Sequence, residues 1–140
     1  GCFWGPEIKF NKLNGVIKTE VGYCGGNTTE TNYENVCSGK TNHAEVVKLE
    51  FDSLIVSYED ILNYFFEIHN PTTIDRQGPD VGSQYRSEIF YFNNSQKIIA
   101  ENVLKKYNKK FNGKIVTKIS GVKNYCKAEE YHQKYLEKNF

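Results

Sequence analysis

Apolar residues recur along this chain at helical spacing in some stretches and at every second position in others, and the changes of rhythm divide it into elements. Phe3, Trp4, Phe10 and Leu13 share a helical spacing. Pro6 is tolerated only in a first turn, which predicts a helix beginning near Phe3 or Trp4. Gly15 marks a turn, Val16 to Tyr23 reads as a strand ended by Gly25-Gly26, and residues 27 to 42, rich in Asn, Thr, Gly and Ser, read as a loop. Glu45 to Phe51 alternates as a second strand. Ser57 predicts the N-cap of an amphipathic helix carrying Ile61, Leu62, Phe65, Phe66 and Ile68 and ending near Asn70-Pro71, with His69 as its C-terminal dipole partner. A long polar loop from Pro71 to Arg86 feeds the strand Ile89 to Phe92. Ser95 opens a longer helix with Ile98, Ile99, Val103, Leu104, Tyr107 and Phe111 on one face and lysines opposite. Asn112-Gly113 turns the chain into a short strand from Lys114 to Ile119, broken by Gly121, and Cys126 to Leu136 reads as a loop entering a last helix. With a further strand expected before Gly1, this order predicts an α/β fold in which helices pack on a mixed, largely antiparallel sheet.

The length of 140 residues fits one domain spanning the chain, large enough to bury a core. A net charge of +1, from 18 basic and 17 acidic residues interspersed along the chain, argues against a nucleic acid or an anionic membrane as partner. No apolar run reaches the length of a membrane span and nothing reads as an export signal, so a cytoplasmic protein is expected. Four cysteines, Cys2, Cys24, Cys37 and Cys126, lack the paired spacing of a zinc site and are expected to rest as free thiols. Methionine is absent, which fits either chance or a protein working near oxidants.

Candidate chemistry gathers in two places. In Gly1-Cys2-Phe3-Trp4-Gly5 a thiol stands at a helix N-terminus, where unpaired N–H groups and the dipole favour the thiolate, and two aromatics beside it can wall a pocket for an apolar ligand group. The competing reading is a packed core thiol with ordinary core aromatics. In the second strand Glu45 shares a face with Val47, Leu49 and Phe51, and an apolar setting raises a carboxyl's pKa until it becomes a general acid. The competing readings put Glu45 at the strand's wet end or pair it with Arg86.

Four motifs together carry a family resemblance: GCFWG at 1 to 5, VCSGKTNHAEVV at 36 to 47, RQGPDVGSQYRS at 76 to 87, and AEEYHQKYL at 128 to 136. The chain resembles the peptide methionine sulfoxide reductases of the A type. That resemblance implies a ferredoxin-like two-layer core and thiol-dependent reduction of methionine S-sulfoxide, free or in proteins. It implies Cys2 as nucleophile, Glu45 as acid, Tyr33, Tyr85 and Asp80 around the sulfoxide oxygen, and Phe3 and Trp4 around the substrate methyl group. It implies a sulfenic acid on Cys2 and recycling by thioredoxin or another dithiol, without a cofactor or metal; a monomer is expected. The family commonly resolves the sulfenic acid with a cysteine in a glycine-rich tail beyond the last helix. Cys126, beside AEEYHQ, is the expected substitute here, with Cys37 and Cys24 as rivals. By the same resemblance His132 has a structural role, hydrogen-bonding the C-terminal segment. A cysteine hydrolase using Cys2 and a histidine, and a non-catalytic redox-sensing module, are the alternative classes.

Overall fold

The computed structural model describes residues 1–139. Its centre is β1 (Val16–Cys24), which pairs antiparallel with β2 (Ala44–Phe51) on one side and with the short β7 (Cys126–Lys127) on the other. The register sets Tyr23 opposite Glu45 and also opposite Cys126. Directly opposed residues on neighbouring strands point to the same face, so these three form one row across the sheet. A second pair, β5 (Glu88–Tyr91) with β6 (Lys118–Gly121), is parallel and is bridged by the long α4 (Asn94–Lys110), since parallel strands need a crossover.

The helices supply the apolar layer. In α3 (Tyr58–Glu67), Leu62 and Phe66 pack with Ala100, Val103 and Tyr107 of α4 over Ile89. α1 (Trp4–Asn11) packs through Phe10 against Ile61 and Val56, while Phe3, Val21, Tyr23, Val36 and Ala128 form a separate cluster beneath the N-terminal turn. Among the described residues β2 pairs only with β1, and β5 only with β6. An apolar cavity of about 420 Å³, lined in part by Val47, Leu49, Phe65 and Ile89, extends to Gly1, Cys2, Glu45 and Asp80. No described helix is long and apolar enough to cross a membrane.

Several sequence expectations are corrected in detail. The polar loop after β1 contains a short helix, α2 (Tyr33–Cys37), whose N-cap Asn32 accepts from the Asn35 N–H. α4 starts ahead of Ser95 because Asn93 caps it, taking the Gln96 N–H at 2.9 Å. β6 begins at Lys118; the Val116 N–H is given to Pro71 instead, and Gly121 pairs with Tyr91 as the last rung instead of breaking the strand. The loop before β5 holds a small hairpin, β3 (Arg76–Gln77) with β4 (Asp80–Val81), and a 3-10 turn at Ser83–Tyr85. The C-terminal stretch contributes a 3-10 turn at Glu130–His132 and α5 (Tyr135–Asn139). His69 is no helix-end cation: burial lowers its pKa to about 4, and its ring bonds the Phe65 carbonyl and the Ser87 hydroxyl.

The Ser57 cap is present as a reciprocal box, with Ser57 Oγ accepting from the Asp60 N–H at 3.0 Å and the Asp60 carboxylate accepting from the Ser57 N–H at 3.2 Å. Replacing Ser57→Ala is expected to cost about 1 kcal/mol, a fall of roughly 3 °C in Tm by calorimetry, with the chemistry at Cys2 untouched.

Candidate active site

Cys2 precedes the first turn of α1, and the Trp4 N–H points at its sulfur. Burial away from water nevertheless dominates. Helped by the carboxylates of Glu45 and Asp80, it pushes the thiol up to about 11. The dipole argument from sequence therefore has the wrong sign for the resting protein: Cys2 is a thiol near neutrality, and a thiolate must be generated on demand.

Glu45 lies at the sheltered end of β2, 6% exposed. Its Oε1 accepts from the Phe3 N–H at 3.2 Å, and its Oε2 has no hydrogen-bond partner among the described residues. Burial raises its pKa to about 7, against the opposing pull of the Phe3 N–H. Neither competing reading of Glu45 holds. It is not at a wet end, and Arg86 turns away to Glu88 at 2.6 Å, with further bonds to the carbonyls of Ser83 and Asn42.

One wall beside Cys2 is aromatic. Phe3 is 1% exposed and packs against Tyr23 and His132 at ring separations of 5.7 and 5.3 Å. The Trp4 indole N–H donates to His132 Nδ1 at 3.1 Å, which assigns the imidazole proton to Nε2, and the indole stacks on Tyr135 at 4.0 Å. Burial lowers the His132 pKa, so the ring stays a neutral acceptor for Trp4. Tyr33, first residue of α2, lies on the same imidazole at 4.6 Å.

Asp80, on β4, borders the cavity with Cys2 and Glu45. The Tyr85 phenol is pushed up to about 12 by burial and then by Glu45, Cys37, Asp80 and Cys2 around it, so it remains a neutral donor. Cys2, Phe3, Glu45 and Asp80 thus border one cavity, Tyr85 stands near Cys2, Glu45 and Asp80, and Trp4 and Tyr33 meet Phe3 on the His132 ring. Cys37, at the exposed end of α2, hydrogen-bonds Tyr33. Cys126 sits apart. The Tyr23 strand lies between it and Glu45, a separation of roughly 10 Å by strand spacing, and its thiol points at the Thr31 carbonyl. Cys24 is buried and bonded to the Lys123 carbonyl. All four cysteines are free. No group of three or more His, Cys, Asp or Glu among the described residues could hold a metal ion.

Three polar residues with structural duties here escape sequence reasoning. Gln133 brackets β1, accepting from the Val21 N–H and donating to the Val21 and Ala128 carbonyls. Glu7, 1% exposed, accepts from the Thr19 hydroxyl and the Lys134 N–H. Glu129 receives bonds from Tyr23 and Tyr33. Gln133 and Glu129 lie inside the AEEYHQKYL motif, but residue order alone does not reveal which polar side chains a fold will bury.

Comparison with known proteins places this geometry. A family model described as peptide methionine sulfoxide reductase matches residues 1–140. A curated peptide methionine sulfoxide reductase MsrA from Pelagibacter ubique is 69% identical over 138 residues, covering 99% of this chain and 94% of the relative. Among solved structures, reduced Mxr1 from Saccharomyces cerevisiae superposes with a TM-score of 0.95 at 36% identity, over 99% of this chain and 81% of the other. Methionine sulfoxide reductase A of Corynebacterium diphtheriae gives the same TM-score and identity, over 99% of this chain and 71% of that one. With a family match along the whole sequence, and a thiol and a buried acid meeting at one cleft, this chain belongs to the peptide methionine sulfoxide reductase family, A type.

Proposed function

We propose that this chain reduces methionine S-sulfoxide, free or in proteins, to methionine, with Cys2 as nucleophile and Glu45 as proton donor. The observation that carries the reading is a buried carboxyl with a pKa of about 7 and one free oxygen, set beside a thiol that has no imidazole at hand. A hydrolase would need that imidazole. The three histidines are committed elsewhere, His132 to Trp4, His43 to the Asn124 carbonyl, and His69 to Phe65 and Ser87.

In the proposed step the Cys2 sulfur attacks the sulfoxide sulfur while its proton passes by way of Glu45 to the sulfoxide oxygen. Sulfoxide and thiol become sulfide and a sulfenic acid on Cys2, so that two electrons leave the thiol and atoms balance. Phe3 and Trp4 receive the methyl group, and Tyr33, Tyr85 and Asp80 hold the oxygen and its water. A second thiol then displaces water from the sulfenic acid to form a disulfide. We assign that thiol to Cys126, whose Cα must come within about 7 Å of that of Cys2 for the bridge to close. The yeast relative Mxr1 has been solved in complex with Trx2, which supports thioredoxin or a small dithiol as reductant, with no other cofactor. Four free thiols fit a reducing cytoplasmic setting, and residues 1–140 act as one catalytic unit in monomeric form.

Consumption of a methyl sulfoxide with dithiothreitol is expected to vanish in Cys2→Ser and to fall roughly 10²- to 10⁴-fold in Glu45→Gln with binding retained. Ester cleavage in place of sulfoxide consumption would give the hydrolase its case, and an unchanged rate in Glu45→Gln would remove that residue from the chemistry.

The pH profile follows from the pair. The reactive state, thiolate with neutral Glu45, carries one proton, the same count as the thiol with ionised Glu45. Its population rises with pH until Glu45 has lost its own proton near 7, then stays level up to the thiol's value of about 11. Single-turnover rates should therefore climb to about pH 7 and flatten. In Glu45→Gln they should keep climbing into the alkaline range.

Peptide mapping after one turnover without reductant should find Cys2 bonded to Cys126. A Cys2 to Cys37 bond, or sulfenic acid alone, would overturn that assignment.

A further inference from the structure

Glu129 has no part in the chemistry above, yet its carboxylate joins three elements. Oε1 accepts from the Tyr23 hydroxyl at 2.9 Å. Oε2 accepts from the Tyr33 N–H at 3.0 Å and, at 3.3 Å, from the Tyr131 hydroxyl. Tyr23 is an immobile anchor. It is wholly buried in the middle strand, and its ring packs on Phe3 directly behind Cys2. Tyr33 is the opposite case, a residue at the head of a one-turn helix inside a polar loop, where nothing in local propensity fixes its position. Asn32 caps that helix by taking the Asn35 N–H, which leaves the Tyr33 N–H for Glu129.

The carboxylate is kept ionised in this role. Burial opposes ionisation, but the N–H groups of Tyr33 and of Glu129 itself and the Tyr23 hydroxyl outweigh it and hold the pKa below the ordinary value. Charged acceptors make the stronger hydrogen bonds, so the link between β1 and the head of α2 is stiff. From there the Tyr33 ring lies against His132, with its hydroxyl bonded to Cys37 and facing Tyr85 and Glu45.

We propose that Glu129 is the positioning residue for Tyr33: by tying the head of α2 to the buried Tyr23, it sets the phenol where the sulfoxide oxygen is received. This rests on the reading, given above, that Tyr33 meets that oxygen. It also gives the Glu of AEEYHQ a task distinct from that of the neighbouring His132, which holds Trp4.

The test is a double-mutant cycle on kcat/KM for a methyl aryl sulfoxide with dithiothreitol, using Glu129→Gln, Tyr33→Phe and the pair, with iodoacetamide alkylation of Cys2 as the check on the rest of the site. Gln keeps one acceptor oxygen for the Tyr33 N–H and can meet the Tyr23 hydroxyl only by donating to it, so the charge that makes both bonds strong is lost. Glu129→Gln is expected to lose about tenfold in kcat/KM while Cys2 alkylates at the wild-type rate. In the Tyr33→Phe background the same change is expected to add almost nothing, because the group being positioned is already gone. Additive losses, or an unchanged kcat/KM in Glu129→Gln, would overturn the positioning role. A wild-type kcat/KM in Tyr33→Phe alone would instead sink the reading of Tyr33 on which it rests. Should Glu129→Gln fail to fold, Tyr23→Phe removes the Oε1 anchor alone; its smaller loss must likewise disappear in the Tyr33→Phe background, and persistence there counts against the proposal.

Discussion

A backbone N–H donating to a buried carboxyl holds this site together: Phe3 N–H to Glu45 Oε1, across 3.2 Å. It joins the turn that carries the thiol to the sheet that carries the acid, residues far apart in sequence. Its existence depends on strand register. Tyr23 opposite Glu45 sends both to the face where Phe3 packs; a slip of one residue would turn Glu45 to the other face and bring Ala44 or Val46 to the cleft. A long antiparallel pairing between β1 and β2 therefore does more for chemistry than for stability. It delivers a carboxyl to a dry place where a loop could not hold one.

The same dryness creates the site's central tension. Burial makes Glu45 a good acid by raising its pKa toward neutrality, and it makes Cys2 a poor nucleophile by raising its pKa to about 11. The two effects have one cause and cannot be tuned apart by simple exposure. What reconciles them is proximity: each group can serve as the other's proton partner, so the pair reaches the reactive state by an internal transfer without exchanging a proton with solvent. A cation beside Cys2 would have lowered the thiol's pKa directly, but it would equally have favoured ionised Glu45 and spoiled the acid. Arg86, the nearby guanidinium in the 76 to 87 motif, is accordingly turned to Glu88 and to the carbonyls of Ser83 and Asn42.

Much of this was legible in the residue order. Long periodic stretches such as α3 and α4 announce themselves, because a wide apolar stripe has no other reading, and the alternation in β2 singles out Glu45 as the polar residue on an apolar face. The failures have physical reasons. α2 is too short for periodicity and is made by an Asn cap and by tertiary contacts. β7 is two residues long and exists only because β1 offers it an edge. The sign of the Cys2 shift was missed because a helix terminus is visible in sequence while the depth of burial and the approach of Glu45 and Asp80 are not. In each case the missing information was non-local.

The C-terminal segment shows how such non-local information is built in. Trp4 takes its orientation from His132 and Tyr135, so the wall that receives an apolar group at the chain's beginning is made by its end. That arrangement needs residues 128 to 135 to be seated firmly against β1 and α1. Gln133 supplies the first attachment, pairing with the Val21 backbone as a further strand would. Glu7 supplies the second by accepting the Lys134 N–H at 2.6 Å, and Lys134 adopts a left-handed φ of 50°. For a residue with a side chain that conformation costs on the order of 1 kcal/mol. A hydrogen bond to a buried carboxylate is worth about as much or more, so the strained turn is held in place by the bond it makes possible. Glu7 and Trp4 both belong to α1, the helix that Cys2 precedes. Anchoring the tail on that helix, and not on the sheet alone, makes the aromatic wall move as one body with the nucleophile it serves.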